Sequence, residues 1–372
     1  MPEISRQRCG PAGIGELALK LSLSGVAKGV PLKLVQSFRV AIVGATGAVG
    51  REMIRLLELR HFPLKELRLF ASENSRGRRI SVGSQELEVR TVSPGAFEGI
   101  DFALFSAGRE RSLLYVPEAI RSGAVVIDNS SAYRYDPSVP LVVPEVNPGD
   151  LAHHPAIVAN PNCTTALLSV VLWPLHLQAR IRRVIVATYQ AASGAGARGL
   201  EELHRQVRAY VRGLPVVRQV FRHPIAFNVF SHDSPIGPDG FNEEENKVAR
   251  ELRKIFHEPD LGVCATCVRV PVFRAHCEAV VVETEEKLSA EEARKLLSQA
   301  PGVRVVDDRE SNTFPMPVDA AGRLEVLVGR IREDPSHPHG LAFFLAGDQL
   351  LKGAAWNAIQ ILEHLSGARC EG

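Results

Sequence analysis

The sequence predicts a two-domain α/β protein, in which a mainly parallel sheet is followed by an α+β unit. Two observations carry that expectation. Between residues 38 and 128, short β-rich runs alternate with helical periodicity, which means crossover units and a parallel sheet. Beyond Asn160 the chain turns to long strand candidates with few helices between them, the pattern of a mixed or antiparallel sheet. A chain of 372 residues has room for both.

Residues 1–37 stand outside the pattern. They carry Arg6, Arg8, Lys20, Lys28 and Lys33 against Glu3 and Glu16. Lys20 and Lys28 interrupt any apolar stretch long enough for a secretory signal. The segment is expected to be a disordered extension, with an organelle transit peptide as the alternative. The first strand, 38–43, leads into Gly44-Ala45-Thr46-Gly47-Ala48-Val49-Gly50, after which Val49, Met53, Leu56 and Leu57 share a helical face. Residues 67–71, 101–105 and 124–128 read as further strands, with a helix over 113–121. Next come a helix over 163–173, a strand over 184–190, an amphipathic helix over 199–212 and a helix over 243–257. Strand candidates follow at 263–272, 277–284, 324–332 and 341–346. The last helix, 350–365, places Leu351, Ala355, Ile359 and Leu362 at helical spacing and is expected to return to the first domain. The expected boundaries are 38–162 plus 348–367 for the first domain and 163–347 for the second.

Composition excludes several classes of function. Forty-four Lys+Arg against 42 Asp+Glu leave a net charge of +2, too balanced for a nucleic-acid tail or a polybasic membrane patch. No apolar run approaches the length of about 18 residues that a membrane span needs. Six cysteines are too few for a disulfide framework in so long a chain, so a reducing cytoplasm is the expected location. Cys264 and Cys267 form a C-x-x-C, but no second Cys or His pair with metal spacing accompanies it. Both are expected in the core, and no metal is expected.

The glycine loop follows a strand and opens a helix. That is the context in which small residues let the backbone approach a pyrophosphate and free helix N–H groups face it. The first domain is therefore expected to be Rossmann-like and to bind a dinucleotide. A second motif, Asn160-Pro161-Asn162-Cys163-Thr164-Thr165, puts a cysteine at the start of an apolar helix. The helix dipole favours a thiolate there, but by only about 0.3–1 kcal/mol, so a cationic partner must supply the rest. The natural partner is His276. It stands seven residues after Arg269, an odd separation that sends the two side chains to opposite faces of a straight strand. Pro271 argues for a bend that brings both into one cleft.

Taken together, these motifs make the chain resemble the aspartate-β-semialdehyde dehydrogenase family over nearly all of residues 38–367. The resemblance rests on the Gly44 to Gly50 loop, Asp128-Asn129-Ser130-Ser131-Ala132-Tyr133-Arg134 and Val142-Val143-Pro144-Glu145-Val146-Asn147. It continues through Asn160 to Thr165, Gln190-Ala191-Ala192-Ser193-Gly194-Ala195-Gly196, Glu244-Glu245-Asn246-Lys247 and Arg269 to His276. Leu350-Leu351-Lys352-Gly353-Ala354-Ala355-Trp356-Asn357 completes it. The resemblance implies reductive dephosphorylation of L-aspartyl-4-phosphate to the semialdehyde through a Cys thioester, in aspartate-family (Lys, Thr, Met) amino-acid biosynthesis. It also implies a second domain that carries catalysis and dimerisation, and a homodimer or dimer of dimers.

Carried over by position, Cys163 is the nucleophile, His276 the general acid/base and Gln190 the residue that orients the acyl group. Arg269 would bind the substrate α-carboxylate and Glu244 its ammonium, while Arg134, Asn162 and Lys247 would hold the phosphate. The cofactor would lie against Gly44, Thr46, Gly47, Ala48, Val49, Gly50, Ser72, Ser75, Arg76, Arg78, Ser106, Ala107, Ser193, Gly194 and Gln349. NADP is the expected cofactor and NAD the alternative. Ser72, Ser75, Arg76, Arg78 and Arg79 suit an adenosine 2′-phosphate, whereas Glu73 opposes one. The stretch Ala71-Ser72-Glu73-Asn74-Ser75 departs from the family's Ala-Ser-x-Arg-Ser, and Arg109 stands where a small residue is usual. Two other readings fit parts of the chain: N-acetyl-γ-glutamyl-phosphate reductase, which shares the Cys/His logic, and a non-catalytic nucleotide-binding paralogue.

Overall fold

The structure, a computed structural model, describes residues 37–368. The expectation for the N-terminal extension falls outside the described residues, Ser37 apart. Seven strands form the first sheet: β1 (Phe38–Val43), β2 (Leu64–Phe70), β3 (Arg79–Val82), β4 (Gln85–Arg90), β5 (Phe102–Phe105), β6 (Val125–Asp128) and β7 (Ile157–Ala159). Their order is β3-β4-β2-β1-β5-β6-β7, with every pairing parallel except the β3–β4 hairpin at the edge. That hairpin is absent from the sequence reading, because its strands alternate charged and apolar residues without a sustained apolar run. Two helices, α1 (Ala48–Leu59) and α2 (Arg109–Arg121), cover opposite faces. Val40, Ile42, Leu56 and Leu57 form one core, and Ala41, Val43, Phe105 and Val116 form the other. Alternate residues of β1 thus feed two cores, as a sheet covered on both sides requires.

The second sheet holds β8 (Ile181–Gln190), β9 (Phe230–Ser231), β10 (Gly262–Arg269), β11 (His276–Thr284), β12 (Val303–Val305), β13 (Val326–Glu333) and β14 (Gly340–Gly347). Its order is β12-β13-β14-β11-β8-β10-β9, a mixed sheet in which β8 runs parallel to β10 and antiparallel to β11. Around it lie α3 (Cys163–Ala179), α4 (Gly196–Val211), α5 (Glu243–Phe256), α6 (Ala290–Gln299) and the single turn α7 (Pro317–Ala320). Helix α3 is apolar all round and packs Leu167, Val171 and Leu175 with Val184, Val186, Val280 and Val282. It runs past Trp173, where the sequence reading stops, because burial of Leu175, His176 and Ala179 outweighs the cost of Pro174. Strand β10 ends at Arg269 rather than Val272, since Pro271 has no N–H for a ladder. A π-helical turn, Leu351–Ala355, leads into α8 (Trp356–Ser366), whose Ile359 and Leu362 join the β1–α1 core. No helix among the described residues is long and apolar enough to cross a membrane.

Candidate active site

The parallel ladder aligns the carboxyl ends of β1, β2 and β5, with Val43 paired to Phe70 on one side and Phe105 on the other. The strand order reverses there, and a crevice opens at such a switch point. The glycine loop fills it. Gly44 has φ +99°, and a Cβ there would lie 2.3 Å from the Ser106 carbonyl oxygen, so only glycine fits. A cavity of about 590 Å³ is lined by Gly44, Thr46, Gly47, Ser72, Glu73, Asn74, Ser106, Ala107 and Arg111. Ser75 lies beneath it, accepting from the Thr46 hydroxyl at 3.2 Å. Arg76 and Arg78, expected at the cofactor, are not among the residues that line it. The Glu73–Ser75 turn directs the chain outward into β3, and Arg76 faces Glu73 at 3.8 Å. Arg111 of α2 lines the cavity instead, a residue whose helical setting hid its role in the sequence.

A second cavity of about 330 Å³ continues from the glycine loop to Cys163. Ala48, Val49, Ser106, Arg134, Asn162, Cys163, Ser193, Gly194 and Gln349 line it. Cys163 is the first residue of α3. Asn162 caps that helix, its side-chain oxygen accepting from the N–H groups of Thr164 at 3.0 Å and Thr165 at 3.4 Å. The dipole does not lower the thiol, however. Burial, and after it the charge of Glu244, push Cys163 up to about 12. Arg269 and Arg134 act in the opposite direction, so cationic partners that favour a thiolate are present but are outweighed by burial.

Three neighbouring strand ends supply the facing groups. Arg269 of β10 is paired with Gln190 of β8, and the adjoining β11 begins at His276. Arg269 and His276 converge as the bend requires: a Cβ on Gly194 would lie 2.6 Å from Arg269 Nη1 and 3.2 Å from His276 Nε2. The turn between them is closed by Ala275 at φ +74°, whose N–H donates to Gln349 Oε1 at 2.9 Å. His276 Nδ1 accepts from the Ala191 N–H at 3.0 Å, which assigns the ring proton to Nε2, and Nε2 is buried without a protein partner. Burial, then the charge of Arg269, lowers its pKa to about 3.

Glu244 lies at the electrostatic centre. Its Oε1 accepts from Asn162 Nδ2 at 2.8 Å and from Gln190 Nε2 at 3.4 Å, while Gln190 also donates to the Thr164 hydroxyl at 2.9 Å. Burial opposes the carboxylate, but the facing His232, Lys247 and Arg269 and the Asn162 amide bring it down to about 2. Lys247 lies 3.5 Å from Glu244 and 3.1 Å from Glu243, and it does not line the Cys163 cavity. Arg134 does line it, yet much of its fork is engaged by Glu251 at 3.1 Å and by the carbonyls of Asn160 and Asn129. Glu251 also accepts from the Asn162 N–H at 2.5 Å, so it braces the cysteine turn. Neither Glu251 nor His232 carries a signal in the sequence, because each gains its role only by tertiary approach. Of the C-x-x-C pair, Cys267 is buried but Cys264 is exposed, which corrects the expectation of two core residues.

Comparison with known proteins agrees with this arrangement. The profile described as "Semialdehyde dehydrogenase, NAD binding domain" matches residues 39–154, and "Semialdehyde dehydrogenase, dimerisation domain" matches residues 172–352. The chain is 50% identical to an aspartate-semialdehyde dehydrogenase of Synechocystis over 88% of its length and 97% of that protein's. It is 49% identical to an aspartate-semialdehyde dehydrogenase of Aquifex aeolicus, over 88% of its length and 98% of that protein's. The crystal structure of aspartate semialdehyde dehydrogenase II from Vibrio cholerae superposes with a TM-score of 0.86 at 44% identity, covering 89% of this chain and 98% of that one. A dinucleotide crevice joined to a half-buried cysteine at a helix start, in a fold shared at this level of identity, leads to one conclusion: this chain belongs to the aspartate-semialdehyde dehydrogenase family.

Proposed function

We propose that the protein reduces L-aspartyl-4-phosphate to the semialdehyde with release of phosphate, as a step in aspartate-family amino-acid biosynthesis, and that Cys163 carries the acyl group. The observation that carries this reading is the cavity from the glycine loop to Cys163, with Glu244 and Arg269 near enough to act on its thiol, Gln190 bonded to Glu244, and Arg269 and His276 converging behind Gly194 of the cavity wall. Arg269 takes the substrate α-carboxylate through its planar fork, and Glu244 takes the ammonium. Neutralising Glu244 in this way removes one of the two influences that hold the Cys163 proton on. Asn162 and the free part of the Arg134 fork take the phosphate, and Lys247 joins them on leaving its pairing with Glu243 and Glu244.

The Cys163 sulfur attacks the acyl carbon, the C–O bond to phosphate breaks, and a thioester forms. His276 donates a hydrogen bond from Nε2 to the acyl oxygen, where negative charge develops. Accepting the thiol proton at that same atom would need the opposite tautomer, which sets two N–H groups against each other at Ala191. The departing phosphate is the better-placed base, and it leaves as hydrogen phosphate. A nicotinamide dinucleotide held in the crevice would supply a hydride to the thioester carbon, after which the C–S bond breaks, the aldehyde leaves and the Cys163 sulfur takes up a proton from solvent. The crevice fits such a group, because the Gly44 approach leaves no side chain over the loop. Gln349, donating to the Ser193 hydroxyl, holds the far wall.

The cofactor we infer is NADP. Ser72, Asn74 and Arg111 line the adenosine end, and Arg76 draws the Glu73 carboxylate toward itself. Side-by-side kinetics are expected to favour NADPH over NADH. A clear NADH preference refutes this and makes Glu73 the residue to change. Covalent catalysis is tested by Cys163→Ser, which should keep its fold and dinucleotide binding while losing nearly all turnover, since a hydroxyl is a far poorer nucleophile near pH 7. Substantial turnover in that variant would sink the thioester.

A further inference from the structure

We infer that His232 is a positioning residue for substrate recognition: it fixes the guanidinium fork of Arg269 while leaving the charge of that fork free for a carboxylate. The inference rests on the role given to Arg269 above. Arg269 is buried, and its contacts are neutral. Its Nη2 lies 2.8 Å from His232 Nε2, its Nη1 donates to the Ala191 carbonyl at 3.4 Å, and its guanidinium carbon sits 5.9 Å from the centre of the Phe221 ring. Its Nε is buried with no partner.

An arginine only donates, so Nε2 of His232 must accept, which puts the ring proton on Nδ1. Ser234 flanks Nδ1, with its hydroxyl at 3.0 Å and its backbone nitrogen at 3.3 Å; of the two, the hydroxyl can accept the ring proton, and it also lies 3.4 Å from Asn242 Oδ1 and accepts the Glu244 N–H at 3.2 Å. Asn242 is the N-cap of α5 and forms a reciprocal capping box with Glu245. The relay therefore ties the carboxylate fork to the helix that carries Glu244, the partner for the substrate ammonium. Recognition of both α-substituents of an amino acid then depends on one rigid chain of hydrogen bonds. A carboxylate at position 232 would hold the fork equally well but cancel its charge. A neutral imidazole orients without cancelling.

Protonating His232 would place a proton on Nε2 and set two cations face to face. The groups that face it are Arg269, Glu244, Asp233 and Lys247. Burial, followed by Arg269, holds its pKa below the ordinary imidazole value, with Lys247 adding to the effect and Glu244 and Asp233 opposing it. The ring is thereby kept in its accepting form at neutral pH.

The test is steady-state kinetics of the full-length enzyme in the phosphate-dependent oxidation direction, with the KM for aspartate semialdehyde and the KM for phosphate measured separately. His232→Ala should raise the semialdehyde KM about tenfold, the loss expected for one hydrogen bond to a charged group, and leave the phosphate KM unchanged. In His232→Gln, Oε1 can accept from Arg269 while Nε2 donates to Ser234, so most of the loss should be recovered. His232→Glu keeps the hydrogen bond but adds an opposing charge and should do worse than His232→Gln. In the unmodified enzyme the semialdehyde KM should rise below the ordinary imidazole range, and His232→Gln should abolish that limb. The relay is overturned if His232→Ala leaves the semialdehyde KM alone, if it raises both KM values equally, or if His232→Glu matches His232→Gln. Arg269→Lys separates the two readings. If it leaves the semialdehyde KM unchanged, Arg269 is not the carboxylate site. If it raises that KM while His232→Ala does not, only the relay fails.

Discussion

At the scale of single residues, the site gathers buried ionisable groups and sets each one's protonation by its neighbours. Cys163, His276 and Glu244 are displaced from their ordinary values, the first two chiefly by burial and the third by surrounding cations. One row further along the same sheet face, Glu278 of β11 stands opposite Thr188 of β8. Neither of its carboxyl oxygens has a partner, and burial alone raises its pKa well above the ordinary carboxylate value. A carboxyl raised in the folded state contributes stability that is complete below its unfolded pKa and is lost as pH rises towards the folded value. Glu278→Gln should therefore leave the melting temperature nearly unchanged at pH 4 and raise it at pH 8, where each kcal/mol is worth about 2–4 °C in a domain of this size. Thermal scans at the two pH values check this, and equal shifts at both would refute it. The Cys163 motif was legible from its N-cap and apolar helix, but the direction of its pKa was not. The helix dipole is a local property, whereas burial and the approach of Glu244 come from distant parts of the chain.

Among the elements, the π-helical turn Leu351–Ala355 is the one on which both parts of the site lean. Lys352 is fully buried there and donates to Glu145, to Asn357 Oδ1 at 2.7 Å and to Gln360 Oε1 at 2.7 Å. Burial works against the Glu145 carboxylate, yet Lys352 and Gln360 together hold its pKa below the ordinary value. Asn357 in turn reaches Asn160 Oδ1 at 2.6 Å, and Asn160 donates to the Ala354 carbonyl at 3.2 Å, so the turn and the cysteine loop are bound to each other. Lys352→Met would strand a buried carboxylate and should cost about 3–5 kcal/mol, whereas Lys352→Met/Glu145→Leu should recover much of that loss. Denaturant midpoints of the two variants decide it, and a single variant as stable as the parent would show that the pair is not coupled. The Leu-Leu-Lys-Gly run was visible in the sequence as part of a helix. The π-helical geometry was not, because helical spacing is the same on either side of one inserted turn.

For the molecule as a whole, the second sheet is covered by α3 on one face and only in part on the other, where Cys277, Leu327 and Ala346 pack with Ala320 of α7. Alternate residues of β8 face the α3 core, and the others, Ile185 and Tyr189, are exposed, with Tyr189 6.0 Å from Phe344 ring to ring. An open sheet face that carries exposed Ile185 and Tyr189 beside the Arg183–Glu283 pair is suited to a second copy of the chain, in keeping with the dimerisation-domain match over residues 172–352. Ile185→Glu/Tyr189→Glu should convert a dimer to monomer in light scattering without lowering helix content. An unchanged mass would move the interface elsewhere.

What the sequence by itself determined are the features that depend on neighbours along the chain: the glycine loop between strand and helix, the capped cysteine helix, and the alternation that makes one sheet parallel and the other mixed. The odd spacing of Arg269 and His276, with Pro271 between them, even pointed to the bend that unites them. Only the tertiary structure decided which charges meet. It placed Arg111, and not Arg76 or Arg78, on the wall of the cavity beside the glycine loop, set Glu251 and Glu244 behind the cysteine, and brought His232 from an irregular loop onto Arg269. Periodicity reports which side of an element faces inward. It carries no information about which distant side chain will be waiting there, and in a buried site those long-range electrostatic contacts set the chemistry.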